Sequence, residues 1–87
     1  MKELIRQMVA ALVDHPEQIH LHEVQSENSV LFEVQVAPGE LGKVIGRHGQ
    51  MIQALRIIVT AAGMKLRKQA RLELLENSTN SDSAAVG

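Results

Sequence analysis

Between Leu41 and Ala62 the chain carries apolar side chains at helical spacing on both sides of one four-residue interruption, Gly46-Arg47-His48-Gly49. Two glycines with two residues between them can stop a helix and restart it at once, because glycine takes up left-handed backbone freely and has no Cβ to obstruct a tight turn. Glu40 to Ile45 therefore reads as a short helix, and Met51, Ile52, Leu55, Ile58 and Val59 give a second, longer one. Gly63 is suitably placed to cap that second helix in the left-handed conformation. A chain of 87 residues has room for one hydrophobic core around this break. Phe32 is its one aromatic residue, so the core is aliphatic.

The rest of the chain supplies the partners for these helices. Leu4, Ile5, Met8, Val9, Leu12 and Val13 recur at three- and four-residue intervals, which predicts an amphipathic helix over 2–14 ended with the help of Pro16. Residues 18–25 and 29–37 have strand character. In the second, Val30, Phe32, Val34 and Val36 alternate with Leu31, Glu33 and Gln35. The polar Ser26-Glu27-Asn28 turn between them favours an antiparallel hairpin whose apolar face packs on helices. From Met64 to Glu76 propensity and period disagree: the residue types favour helix, while Ala70, Leu72 and Leu74 alternate like a strand. Local propensity taken alone gives helix there. Residues 77–87 are polar and small around one valine, and are expected to form a disordered tail.

Several function classes fall away on residue types. Without cysteine there is no thiol nucleophile, no Cys-ligated zinc and no iron-sulfur cluster. No Ser-His-Asp or paired-acid arrangement can be argued from spacing, so neither an enzyme nor a cofactor site is expected. His15, His20 and His22 read as a solvated face rather than a metal site. No apolar run reaches the ~18 residues of a membrane span, and Lys2, Glu3 and Arg6 interrupt the first helix, so a cytoplasmic protein is expected.

The net charge of −1 conceals a strong asymmetry. Residues 1–42 hold two basic side chains against seven acidic ones, whereas residues 43–71 hold Lys43, Arg47, Arg56, Lys65, Arg67, Lys68 and Arg71 with no acid. A +7 stretch can form a positive face that attracts a polyanion. Lys65, Arg67, Lys68 and Arg71 either extend that face or are a solvated run. The glycine loop adds a local reason for anion binding, because it opens into a helix N-terminus with unpaired N–H groups and the positive end of the macrodipole. Arg47 and His48 lie inside the loop, with Lys43 near enough to reinforce it. The glycine spacing fits neither a Walker A loop nor a dinucleotide fingerprint.

Val44-Ile45-Gly46-Arg47-His48-Gly49-Gln50-Met51-Ile52 resembles the Ile-Gly-x-x-Gly-x-x-Ile signature of the KH domain. Over residues 1–76 the element order is similar to the type II arrangement, and the size to small bacterial single-KH proteins of the KhpA kind. The resemblance implies an α+β fold of order α-β-β-α-α-β, with a three-stranded mixed sheet and helices packed on one face. It makes Arg71 to Glu76 a strand, parallel to the one before the loop. It further implies that Gly46, Arg47, His48 and Gly49 contact phosphates and sugars of single-stranded RNA. Val44, Ile45 and Ile52 would line an apolar groove for about four bases. Base edges would be read by the strand from Leu31 to Val36, and Lys43 and Arg56 complete the RNA-contacting set. Related loops often carry two basic residues. His48 stands at the second position here, and since a free imidazole titrates near ~6.5, binding should be weaker at pH 7 and strengthen as pH falls.

A single KH domain reads few nucleotides, so useful affinity calls for a second one, by homodimerisation or in a larger KH-containing partner. The resemblance implies such a complex acting as an RNA chaperone or post-transcriptional regulator that influences cell-wall growth and cell shape. The competing expectation is a KH fold kept as a protein-interaction module with little RNA affinity of its own.

Overall fold

A computed structural model describes residues 1–76, so the tail expected over 77–87 lies outside the described residues. The elements run α1 (Lys2–Ala10), β1 (His20–Gln25), β2 (Ser29–Val36), α2 (Leu41–Ile45), α3 (Gln50–Lys65) and β3 (Gln69–Glu76), the α-β-β-α-α-β order that the resemblance implies.

Helix α1 forms because Ile5 and Val9 fall on one face and are wholly enclosed, with Met8 and Leu12 packed beside them. It is shorter than the periodicity predicts, ending at Ala10 rather than Asp14. The reason is tertiary. The backbone N–H groups of Asp14 and His15, which a longer helix would direct to its own carbonyls, donate instead to the Glu40 carboxylate, at 2.5 and 3.1 Å. Pro16 then opens a single 3-10 turn over Pro16–Gln18, so β1 starts at His20, two residues later than predicted.

Strand β2 is the middle of the sheet, antiparallel to β1 and parallel to β3. Its alternation decides the layering: Val30, Phe32, Val34 and Val36 are buried under the helices, while Leu31, Glu33 and Gln35 face the open side. The β1–β2 turn closes with Ser26 N–H donating to the Ser29 carbonyl at 2.8 Å.

Strand β3 lies where period and propensity disagreed, and period prevails. Ala70, Leu72 and Leu74 pair across from Val30, Phe32 and Val34, extending the buried rows of β2. The strand begins at Gln69, two residues before the predicted start at Arg71. Helix α3 also outlasts its expected end at Gly63, continuing to Lys65. Gly63 is no left-handed cap but a buried helical residue: a Cβ there would stand 2.6 Å from the Ala70 Cβ and 2.9 Å from the Lys68 carbonyl oxygen. The missing side chain lets α3 lie directly against the start of β3. Parallel pairing of β2 and β3 needs a crossover, and α2 and α3 supply it.

Candidate nucleic-acid interface

Helix α2 carries the chain from the end of β2 to the glycine loop, and one carboxylate sets its position. Glu40, the residue before α2, is only 4 % exposed, and its carboxylate holds the Asp14 and His15 amides while lying 3.5 Å from the Lys43 ammonium. Lys43 also pairs with the exposed Asp14 carboxylate. Burial pushes the Glu40 carboxyl up, but the two backbone N–H groups and the Lys43 charge outweigh it and leave its pKa below the usual value. Asp14 is lowered by its hydrogen bond to Lys43 and that residue's charge. Lys43 is raised, mainly by the hydrogen bond to Asp14, against the opposing effect of burial. Sequence reasoning counted Glu40 only as one more acid and as the first residue of a helix. Its signal is a lone carboxylate directly after the Pro38-Gly39 break, but the donors it captures lie 25 and 26 residues away.

The loop itself is a strained reversal. Gly46 has φ 78° and ψ 177°, a region essentially closed to residues with a Cβ. A Cβ there would come within 2.6 Å of the Met51 Cβ and 3.0 Å of the Met51 nitrogen, so the loop backbone passes directly against the first turn of α3. His48 (φ 57°, ψ 24°) and Gly49 (φ 73°, ψ 13°) then take two successive left-handed conformations. The Gly49 N–H donates to the Gly46 carbonyl at 3.2 Å and closes the turn. The Arg47 and His48 side chains project into solvent, and no side chain among the described residues caps the N-terminus of α3. The Gln50 N–H, the first amide of α3, donates to the Arg47 carbonyl, and the positive end of the helix dipole lies beside the loop.

The residues expected to bind RNA are not all placed alike. Lys43, Gly46, Arg47, His48 and Gly49 form one surface strip, although the Lys43 ammonium is already engaged by Asp14 and Glu40. Ile45 is half-buried and reaches the surface beside the loop. Val44 is fully enclosed and Ile52 is 7 % exposed, so these two support the loop from within and offer almost no surface to a base. Arg56 lies two turns further along α3, about 10 Å by the helical rise, and its Nε donates to the Leu72 carbonyl at 3.3 Å on the free edge of β3. Strand β2 has both edges occupied by β1 and β3, so its backbone has no free edge with which to read bases from Leu31 to Val36. The basic stretch does not form one face: Arg47 stands at one end of α3 and Lys65 at the other, separated by about 24 Å of helix. Among the described residues no group of three or more His, Asp or Glu side chains is arranged to hold a metal ion.

The family model described as KhpA/KhpB, KH domain, matches residues 2–74. Similar curated proteins include the RNA-binding protein KhpA of Clostridium perfringens, 41 % identical over 86 % of this chain and 100 % of its own length. The RNA-binding protein KhpA of Chlamydia muridarum is 40 % identical over 87 % of this chain and 97 % of its own. That of Aquifex aeolicus is 41 % identical over 87 % and 96 % respectively. No solved structure matches. With α2, the glycine loop and the α3–β3 crossover all inside the matched span, the chain belongs to the non-enzymatic KhpA/KhpB KH-domain family.

Proposed function

We propose that the chain binds single-stranded RNA by clamping its sugar-phosphate backbone at Gly46-Arg47-His48-Gly49. The observation that carries this reading is the loop geometry. Backbone without side chains at Gly46 and Gly49 lies beside the N-terminus of a 16-residue helix that no side chain caps, with exposed Arg47 and His48 between the glycines. Relatives that bear the name RNA-binding protein support it. Ile45 offers apolar surface for a base, with Val44 and Ile52 fixing it from below. Lys43 contributes positive potential, and a contact from Arg56 requires it to leave the Leu72 carbonyl.

Fluorescence anisotropy with a short unstructured RNA pool tests the proposal, comparing the natural chain with an Arg47→Asp, His48→Asp double variant whose fold is checked by circular dichroism. Binding should be lost in the variant. Equal binding by both would assign the loop a structural role only.

A second surface favours the interaction reading alongside. On α3, Ile57 and Met64 are 69 % and 70 % exposed, and with Ala61 they make an apolar strip flanked by Arg56 and Thr60. We infer that a second KH domain docks there, by homodimerisation or from a larger KH-containing partner, and joins two weak RNA sites into one tighter one. In that assembly the protein serves as a cytoplasmic RNA chaperone or post-transcriptional regulator with effects on cell-wall growth and cell shape. No described helix is long and apolar enough to cross a membrane.

A further inference from the structure

The end of α3 opposite the glycine loop has an organisation that the loop does not explain. There the chain reverses through Leu66-Arg67-Lys68 into β3, held by Leu66 and Lys68 N–H groups that both donate to the Gly63 carbonyl at 2.9 Å. Arg67 sits at φ 59°, in a region that L side chains rarely adopt. Glycine would occupy that position without strain, yet a long cation stands there. Only His48 shares this property among the described non-glycine residues, so each end of α3 presents one basic side chain from left-handed backbone.

Beside this turn the open face of the sheet carries a shallow depression. Val24 and Leu31 form its floor, Ser26, Ser29 and Gln69 supply hydrogen-bonding groups, and Arg71 stands at its side. Glu73 closes it toward the loop end of the molecule. Lys65, Arg67, Lys68 and Arg71 have no carboxylate partner among the described residues within ion-pair distance. Lys68 instead reaches back to the Gln25 side-chain oxygen at 3.0 Å, which ties the turn to the β1–β2 hairpin. An apolar floor the width of two strands, neutral polar groups at its rim, the unpaired Arg71 at its side and Arg67 in the turn that leads into Gln69 fit a nucleobase and its flanking phosphates.

We propose that this end of the domain is a second contact site for single-stranded RNA, separate from the glycine loop, which lengthens the stretch of strand that one domain holds. The site rests on the RNA-binding reading of the loop, and the two are separable by RNA length. The natural chain and an Arg67→Gly, Arg71→Gln variant are titrated with RNA of about four nucleotides, enough for the loop, and of about 16 nucleotides. Arg67→Gly removes a charge while relaxing the backbone, and Arg71 is exposed, so the fold should survive; circular dichroism and sedimentation confirm fold and oligomeric state.

The variant should match the natural chain on short RNA. On long RNA it should lose about tenfold in affinity, with a salt slope shallower by about 1.4 for two phosphates released. Unchanged long-RNA affinity and slope would overturn the proposal. A natural chain that binds long RNA no better than short also overturns it while leaving the loop reading intact. Binding of neither RNA by the natural chain removes both readings. Should the double variant alter fold or assembly, Arg67→Gly alone gives the decision, with loss of about one phosphate contact expected.

Discussion

Gly46 and Gly63 stand near opposite ends of α3, and each is so enclosed that a Cβ would approach a neighbouring Cβ to 2.6 Å. The collisions look alike and mean different things. Gly63 is buried and helical, and its missing side chain lets α3 lie on Ala70 at the start of β3, so its role is completed inside the fold. Gly46 is half-exposed, adopts a conformation that a residue with a Cβ essentially cannot, and presses backbone rather than core against Met51. A packing glycine is recognised by what lies behind it. A ligand-facing glycine, the role proposed for Gly46, is recognised by surface left open in front of a strained backbone.

Substitution separates the two glycines. Gly46→Ala should have the largest effect: forced out of its backbone well, the loop should lose at least tenfold in RNA affinity, with folding stability lower by about 1–3 kcal/mol. Anisotropy and urea melts measured on one preparation read both quantities. Gly63→Ala should reverse the pattern. Overpacking against Ala70 and the Lys68 carbonyl destabilises by about 1–3 kcal/mol, partly offset by about 1 kcal/mol of helix propensity, while RNA affinity of the folded protein stays within twofold. Ala70→Gly in the same chain should recover part of the loss, and a double-mutant cycle in urea detects that coupling.

Gly49→Ala isolates backbone strain from crowding, because open space surrounds that position and only its φ of 73° resists a side chain. A loss of about 1 kcal/mol is expected, and almost none for Gly49→Asn, since asparagine tolerates left-handed backbone. The smallest effect concerns pH. Asp14 and Glu40 have pKa values lowered on folding, so their contribution to stability is complete above the ordinary carboxylate range and disappears as pH falls through their folded values. Lys43 is raised, so its contribution holds at neutral pH and is lost only in strong alkali, above its folded value. Urea midpoints between about pH 6 and pH 3 should decline, and Glu40→Gln should flatten part of that decline while lowering the neutral midpoint.

The parts of this molecule that declare themselves in the sequence are those whose cause is local. The glycine pair, the alternation in β2 and the apolar face of α1 each contain their own explanation within a few residues. Helix α1 does not reach Asp14 because a carboxylate 26 residues away takes the Asp14 amide. The Met64–Glu76 segment resolves into helix, turn and strand because Ala70, Leu72 and Leu74 gain burial only beside Val30, Phe32 and Val34. Gly63 fits a C-cap pattern equally well until Ala70 is seen behind it. At the site the same division holds. Arg47 and His48 are legible as exposed cations within a loop, but hydrophobicity cannot tell a groove wall from a core residue, and Val44 and Ile52 belong to the core. A charge total likewise cannot say that one basic stretch is divided between two ends of a helix.

Amide chemical shifts of the isotopically labelled chain, followed during titration with an RNA of about four nucleotides, show whether the glycine loop clamps RNA. The largest changes should fall on Ile45 through Met51, with the apolar strip at Ile57, Ala61 and Met64 unmoved. Changes centred on that strip, or on the Arg67 turn with the loop amides silent, would contradict a clamp at the loop.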